Sequence, residues 1–320
     1  MLAYLQLLRL PTVFTAMADI VLGFVLTHQF IYGPLKVFAN EFVEQEIGWN
    51  KPGQFFGLLA SSCCLYLAGM VFNDVFDVKQ DAAERPGRPI PSGRVSLKAA
   101  TILGSTLMIA GVAVAATVGQ VSLQVALLLV LAILGYDSVL KRTPIGPVAM
   151  GSCRFLNVLL GGSAQCEWLP GLFSQPLLTA AIGLGIYITG VTVFARTEAR
   201  ISNRWQLGMA QLIMNVGFAV LVGLMMTWPN RSPIDVTLMM LGVVAFTVNR
   251  RAIEALRHPS PKTVQGSIKV MLLSIVIIDA TLIYWFLNTP DSVGYGRAHA
   301  LATAALVIPA LLLSRVIPMT

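Results

Sequence analysis

Four polar residues at the end of a long apolar segment have the types and spacing of a metal site. Asn73 and Asp74 directly follow the apolar residues, and Asp77 and Asp81 come next. If a helix continues through them, the three aspartates lie at positions i, i+3 and i+7 on one face. Clustered carboxylates repel one another unless a cation shares them. Oxygen ligands without histidine or cysteine suit Mg²⁺, which completes its shell with substrate phosphates. The spacing therefore favours a Mg²⁺ site for a phosphorylated substrate.

A basic, proline-containing turn follows these acidic residues, and positions 85–89 read R-P-G-R-P. The alternative interpretation is a solvated helix end whose carboxylates pair with Lys79, Arg85 and Arg88. The position of Asn73 at the boundary of an apolar segment, together with the basic turn, favours the metal site over that alternative.

The composition shows which kind of element must position these residues. The chain has 320 residues, of which 56% are hydrophobic and 12% charged, and its mean hydropathy is +0.75. Soluble domains carry about 25% charged residues. The composition therefore excludes an ordinary soluble globule, a disordered chain and a nucleic-acid binder with a basic surface. It predicts an all-α integral membrane protein that crosses the membrane many times and has no nucleic-acid partner.

Ten apolar segments are long enough to cross a hydrocarbon core of about 30 Å, which requires about 20 residues. They are 13–31, 54–73, 99–118, 121–140, 145–163, 177–195, 207–227, 234–252, 268–288 and 298–317. Pro309 interrupts the last segment, which either crosses the membrane or lies along its surface.

The distribution of basic residues predicts the orientation of these spans. With the N-terminus in the cytoplasm, all but five of the 22 lysines and arginines lie on the cytoplasmic side or at its boundary. The exceptions are Lys36, Lys51, Arg231 and Arg297 on the opposite side and Arg154 within a span. This asymmetry follows the positive-inside rule. We expect a bacterial inner-membrane protein whose N-terminus and active site face the cytoplasm.

The acidic segment and the turn after it resemble a known signature. The pattern N-D-x-x-D-x-x-x-D followed by R-P-x-R-P-x-P-S-G resembles the first signature of the UbiA superfamily of intramembrane prenyltransferases. The resemblance extends from about Arg9 to about residue 288. It implies a nine-helix UbiA-type bundle around a central cavity. We expect a single membrane domain over 1–320, with a UbiA-like core at about 9–288 and an additional C-terminal helix over 298–317.

The resemblance also implies an activity and roles for individual residues. The activity is Mg²⁺-dependent transfer of an isoprenoid chain from a prenyl diphosphate to an unidentified lipid-soluble or aromatic acceptor. The implied metal ligands are Asn73, Asp74, Asp77 and Asp81. The implied diphosphate-binding residues are Arg85, Arg88, Lys141, Arg142 and Arg154. Tyr136 is expected near the reacting carbon, and Tyr136 and Lys141 are the expected catalytic residues.

The chain departs from the family at the second acidic signature, after the sixth helix. Glu198 is the carboxylate that remains there, and Arg196 and Arg200 stand one helical turn apart at expected ligand positions. The arginines could bind the diphosphate directly, or Glu198 could still bind one metal ion. The third alternative is a non-catalytic binder, scaffold or transporter of a phosphorylated isoprenoid. Ordinary membrane-anchoring arginines would look the same. The run 194–199 also resembles the EboC subgroup of UbiA-like proteins.

Four charged residues fall within or at the edges of apolar spans. A charge at a helix centre costs about 2.5–3.5 kcal/mol on insertion scales, so each should face a partner or the cavity. We expect Arg154 to pair with Asp137, which lies on the preceding helix, and Asp19 or Asp279 to face the interior.

Overall fold

The computed structural model describes residues 2–28, 37–38, 41–42, 52–228, 235–288 and 295–317. A short helix, α1 (Leu2–Leu7), precedes the long helices. The long helices are α2 (Val13–Thr27), α3 (Pro52–Phe76), α5 (Leu97–Val118), α6 (Gln120–Ser138), α7 (Gly146–Gly162), α8 (Leu177–Ala195), α9 (Arg204–Thr227), α10 (Val236–Arg257) and α11 (Pro261–Leu287). The shorter elements are α4 (Val78–Glu84), α12 (Tyr295–Ala305), α13 (Val307–Leu313) and an antiparallel strand pair, β1 (Val37–Phe38) and β2 (Glu41–Phe42).

The nine long helices form a closed ring in the described part of the chain. Helices that follow one another along the chain pack side by side, α3 packs against α5, and α11 closes the ring against α2. Additional contacts cross the ring between α2 and α7, between α3 and α6, and between α8 and α11. One continuous apolar core joins these helices. The predicted all-α bundle is therefore confirmed.

The ring helices have the lengths that membrane crossing requires. Within the described ranges, eight of them and the segment Gly296–Leu313 are long and apolar enough to cross a membrane. The ninth ring helix, α7, has 17 residues, the lower end of the range for a transmembrane helix. The chain is therefore a multi-pass integral membrane protein.

The C-terminal segment differs from the single helix expected over 298–317. It forms two helices, α12 and α13, which are separated at Leu306. Pro309 lacks an amide hydrogen, and its ring collides with the carbonyl four residues earlier, which belongs to Ala305. The helix is therefore interrupted at this point. Helix α12 packs against α11, and only 17% of Gly296–Leu313 is buried, so this segment lies outside the ring.

The acidic segment also differs from the uninterrupted helix that the spacing suggested. Helix α3 ends at Phe76, and α4 begins at Val78. Asp77 lies at the break, with φ −94° and ψ 4°. The backbone amide of Asp77 still donates to the Asn73 carbonyl, and that of Asp81 to the Asp77 carbonyl. The break therefore bends the chain without separating the acidic residues.

Helices α2 and α7 are in close backbone contact inside the ring. A Cβ atom on Gly23 would collide with the carbonyl oxygen of Val158, and one on Gly161 would lie 2.7 Å from the carbonyl oxygen of Ile20. Only glycine allows the two helices to approach this closely. The same contact brings the preceding turns of α2 and α7 together inside the bundle.

We predict that Gly23→Ala destabilises the protein by about 1–3 kcal/mol, because the added methyl group meets backbone atoms that cannot rotate away. The measurement is the thermal unfolding transition of the detergent-solubilised protein. Gly242→Ala is the matched control, because nothing lies within 4 Å of a Cβ atom there. Equal transitions in the two variants would contradict the prediction.

Candidate active site

A cavity of about 310 Å³ opens inside the ring. Its walls are mostly apolar, with Leu129, Ile133, Ile188, Val191 and Leu272 among the lining residues. Its polar lining residues are Arg9, Thr12, Tyr66, Asn73, Tyr136, Asp137, Arg154, Asn157, Thr192 and Glu198. The cavity is therefore a largely apolar chamber whose polar groups come from the segment before α2, from α3, α6 and α7, and from the end of α8.

Two arginines hold Asp74. We call Asp74, Asp77, Asp81 and the cations paired with them the rim, because they lie beside the cavity-lining residues Arg9 and Asn73. Arg9 Nη2 donates to Asp74 Oδ1 at 2.7 Å, and Arg88 Nη1 donates to the same oxygen at 3.0 Å. Arg88 Nη1 also donates to Asp81 Oδ2 at 2.8 Å. One guanidinium therefore joins the first and third aspartates of the acidic segment.

The basic turn is held in place by a small apolar cluster. Ile90 and Val95, which both follow the turn, pack with Leu7 and Val71. Arg94 Nη2 donates to the Gly87 carbonyl at 2.6 Å and closes the turn. This packing explains how a loop can direct the Arg88 side chain towards the acidic residues.

Asp77 is paired with different cations. Its Oδ1 lies 2.8 Å from Lys141 Nζ and 3.8 Å from Arg142 Nη2. Lys141 and Arg142 belong to a 3₁₀ turn that directly follows α6. The acidic segment therefore lies between the basic turn after α4 and the basic turn after α6.

These carboxylates are shielded from water. The side chains of Asp74, Asp77 and Asp81 are 5%, 16% and 8% exposed. Burial raises the pKa of the Asp81 carboxyl, and the Arg88 guanidinium offsets only part of that rise. The carboxylates are therefore not solvated as the alternative expected, but Asp74 and Asp81 do pair with Arg88, as it also expected.

The donor set fits Mg²⁺. Asn73 and the three aspartates offer only oxygen ligands, which this hard cation prefers. Within the described residues, no three His, Cys, Asp or Glu side chains converge as metal ligands, and the aspartates are paired with arginines and a lysine instead. The buried Asp77 Oδ1 lies 2.8 Å from Lys141 Nζ, so Lys141 must move aside before this oxygen can bind a metal ion. The ligand roles of the four residues stay predictions.

The residues of the altered second signature lie in two different places. Arg85 Nη2 donates to Glu198 Oε1 at 3.0 Å, and Glu198 lines the cavity. Arg196 is exposed and donates to the Thr143 carbonyl, whereas Arg200 is exposed at the surface. Neither of these two arginines lines the described cavity. The structure therefore brings Arg85 and Glu198 to the site and leaves Arg196 and Arg200 at its outer edge.

Arg154 lines the cavity, but its guanidinium is already engaged. Its Nη1 donates to Asp19 Oδ2 at 2.5 Å, and its Nη2 donates to Thr15 Oγ1 at 2.9 Å. Asn157 Nδ2 also donates to Asp19 Oδ2, at 2.8 Å. Asp19 and Asp279 are both completely buried, which confirms that these carboxyl groups face the interior.

The expected pairing of Arg154 with Asp137 is wrong. The close α2–α7 contact places Asp19 next to Arg154, whereas Asp137 accepts a hydrogen bond from Asn73 Nδ2 at 2.8 Å. Consecutive helices suggested the wrong partner, because α7 packs closely against α2 across the ring.

Two charged cavity residues were not among the expected site residues. Arg9 adopts a left-handed backbone conformation, with φ 43° and ψ 48°, and its side chain reaches Asp74. Asp137 lies in the cavity wall next to Tyr136, which also lines the cavity. The available signal was a charged residue at the boundary of an apolar span. The catalytic roles expected for Tyr136 and Lys141 stay predictions.

The fold and the charged residues beside the cavity define an integral membrane protein with an internal polar site. Comparison with known proteins identifies its family. The family model described as UbiA prenyltransferase family matches residues 42–202. The chain belongs to this family. Its resemblance to the EboC subgroup stays a prediction.

Individual relatives agree with the family assignment. A digeranylgeranylglyceryl phosphate synthase of Metallosphaera sedula is 33% identical over 182 residues, which cover 49% of this chain and 64% of the relative. The matches to the first curated relatives thus span between half and two thirds of their lengths.

Solved structures share the fold. A UbiA homologue from Aeropyrum pernix matches with a TM-score of 0.62 and 17% identity, over 85% of this chain and 96% of that one. A UbiA homologue from Archaeoglobus fulgidus bound to GPP and Mg²⁺ matches with a TM-score of 0.58 and 14% identity, over 95% and 99% of the two chains.

We predict that Arg154→Met destabilises the protein by about 3–5 kcal/mol, because the change leaves the Asp19 carboxylate buried without its guanidinium partner. The double variant Asp19→Leu/Arg154→Met should recover most of the loss, because it removes both charges. The measurement is the unfolding transition in detergent. Arg251→Met is the control, because Arg251 forms only an exposed pair with Glu254 and such pairs contribute about 0–1 kcal/mol. A double variant as unstable as the single one would contradict the prediction.

Proposed function

We propose that this protein is a Mg²⁺-dependent prenyltransferase that moves an isoprenoid chain from a prenyl diphosphate to an acceptor within the membrane. One observation carries the proposal: three shielded aspartates and the cations paired with them lie beside an apolar cavity that Arg9 and Asn73 line. Such a site can bind a molecule with a charged head group and an apolar tail. The name of the archaeal relatives and the GPP- and Mg²⁺-bound homologue support the same substrate class.

The charged rim would hold the diphosphate. Asn73, Asp74, Asp77 and Asp81 would hold Mg²⁺, which would supply positive charge to the leaving diphosphate. Arg85, Arg88, Lys141 and Arg142 would bind phosphate oxygens directly, and guanidinium groups can do so with two parallel hydrogen bonds. To do so, these cations must exchange part of their present carboxylate contacts for phosphate contacts.

The apolar cavity would hold the isoprenoid chain and keep water away. When the allylic C–O bond breaks, the diphosphate leaves with the bonding electrons and the chain carries a delocalised positive charge. Water would add to this carbocation and form an alcohol, so the site must exclude water. Tyr136, in the cavity wall beside the rim, would face the reacting carbon. The acceptor then forms the new bond to this carbon and releases a proton.

The acceptor would enter from the membrane and is proposed to be lipid-soluble or aromatic. The relatives' name favours a glyceryl phosphate lipid as one candidate. We further propose that residues 9–288 form the working unit, with 298–317 added at its outside, and that the N-terminus and the rim face the cytoplasm. The excess of basic residues on that side supports this orientation.

A second candidate function is non-catalytic binding or transport of a phosphorylated isoprenoid. The observation that favours it is the ion pair between Arg85 and Glu198, which occupies the carboxylate left in the second signature. In this alternative the chain binds a prenyl diphosphate through the arginines of that signature and releases no pyrophosphate.

We predict that Asp74→Asn and Asp77→Asn each lower product formation by about 100-fold or more, because each removes charge that holds the cation at the leaving group. The measurement is pyrophosphate release and prenylated product from geranyl or geranylgeranyl diphosphate with Mg²⁺ and candidate lipid and aromatic acceptors. Glu84→Gln is the control, because Glu84 is exposed at the end of α4 and contacts Gln80. Full activity in both aspartate variants would exclude the proposed metal role.

We predict that Arg196→Gln/Arg200→Gln leaves binding of geranyl diphosphate within about threefold, because an exposed, screened charge contributes little. Arg88→Gln should weaken binding strongly, because Arg88 lies beside the buried aspartates. The measurement is Mg²⁺-dependent binding of radiolabelled geranyl diphosphate. Loss of binding in the double variant, with no pyrophosphate released by the unaltered protein, would instead support the non-catalytic alternative.

A further inference from the structure

We propose that Asp137 is a positioning residue that holds the Asn73 side-chain amide so that its oxygen faces the metal site. This inference rests on the proposed function, because Asn73 is one of the proposed Mg²⁺ ligands. It adds a residue that the family signature does not contain, on a different helix. Asp137 is 3% exposed and lies in the cavity wall at the end of α6.

The hydrogen bonds around Asn73 orient its amide. An ionised carboxylate can only accept hydrogen bonds, so it selects the NH₂ end of an amide. Asp137 Oδ1 accepts from Asn73 Nδ2 at 2.8 Å, and Arg9 Nη2 lies 3.5 Å from Asn73 Oδ1 as a donor. Because an acceptor lies at one end of the Asn73 amide and a donor lies at the other, both contacts favour the same orientation. The amide oxygen therefore points away from α6 and towards Arg9.

This orientation of the Asn73 amide allows its oxygen to bind a cation. The same Arg9 nitrogen that approaches Asn73 Oδ1 lies 2.7 Å from Asp74 Oδ1. A single cationic nitrogen thus reaches an oxygen of both residues. The two oxygens can therefore be shared by one positive centre, as joint ligation of a metal ion requires. If the amide rotated by half a turn, it would present N–H groups to that centre instead.

Packing of the Ile133 side chain against Gly69 holds the two residues opposite each other. One helical turn before them, Gly69 faces Ile133, and a Cβ atom on Gly69 would lie 3.2 Å from Ile133 Cγ2. The small residue lets α6 approach α3, so the next turn brings Asn73 and Asp137 together. After α6, Lys141 Nζ lies 3.5 Å from the Asn73 carbonyl. Helix α6 and its following turn thus contact both the side chain and the main chain of Asn73.

The hydrogen bond to Asn73 is the direct contact between Asp137 and the proposed ligands, and the Asp137 charge also interacts with Lys141, Asp77 and Arg9. Among the described contacts, its hydrogen bond to Asn73 is the interaction that Oδ1 makes, and Arg154 is engaged by Asp19. Carboxylates that orient metal-binding side chains in this way typically contribute 10–100-fold to metal affinity. Loss of the Asp137 side chain should therefore weaken Mg²⁺ binding without removing a ligand.

The test measures Mg²⁺ concentration dependence of geranyl diphosphate binding, not turnover. Asp137→Leu should raise the Mg²⁺ concentration for half-maximal binding by about 10–100-fold. Asp137→Asn keeps an oxygen that can accept from Asn73 Nδ2, so it should stay within about threefold of the unaltered protein. In an Asn73→Ala background, Asp137→Leu should have little further effect, because the two residues act as one unit. The unfolding transition of each variant in detergent checks that the fold is intact.

Three results would overturn the proposal. An unchanged Mg²⁺ dependence in Asp137→Leu would show that Asp137 does not orient the ligand. An equal loss in Asp137→Asn and Asp137→Leu would show that the carboxylate itself binds the metal. A full additional loss in the Asn73→Ala background would show that Asp137 acts independently of Asn73. Absence of Mg²⁺-dependent binding in the unaltered protein would instead overturn the proposed function, and this inference with it.

Discussion

Three carboxylates at the rim of an apolar cavity must be matched by positive charge, and the rest of the site depends on this requirement. In a medium of low dielectric constant, an unpaired carboxylate loses hydration that nothing replaces. The protein surrounds Asp74, Asp77 and Asp81 with Arg9, Arg88 and Lys141, drawn from three separate segments of the chain. Because these cations can also bind phosphate, the arrangement that stabilises the acidic residues also prepares the rim for an anionic substrate.

Deeper in the bundle, a second buried carboxylate is also paired with a cation, and there the pair joins two helices. Arg154 and Asp19 neutralise each other next to the apolar cavity, and Asn157 adds a hydrogen bond to the same carboxylate. The glycine contact between α2 and α7 brings these groups within reach. The pair therefore joins α2 and α7 at the wall of the cavity. A bilayer offers no hydrophobic drive for helix association, so close packing and polar contacts of this kind specify the arrangement.

Much of this architecture could be predicted from the sequence, because apolar length and basic-residue asymmetry directly reflect the membrane. The ring helices, the acidic segment and its basic neighbours follow from these signals. The partners of buried charges could not be predicted in this way. Asp137 and Arg154 lie on consecutive helices, yet each pairs with a residue on another helix, because packing across the ring decides these distances. The bend at Asp77 and the interruption before Pro309 likewise depend on local backbone geometry that periodicity does not show.

The central claim is that the acidic rim binds a metal ion together with the head of a prenyl diphosphate. A density map of the protein with Mg²⁺ and a non-hydrolysable geranyl diphosphate analogue tests it most directly. We predict metal density against oxygens of Asn73, Asp74, Asp77 and Asp81. We also predict a diphosphate contacted by Arg88 and Lys141, and the isoprenoid chain along the apolar wall. Diphosphate and metal density elsewhere, with the rim aspartates still paired to their present arginines and lysine, would contradict the account.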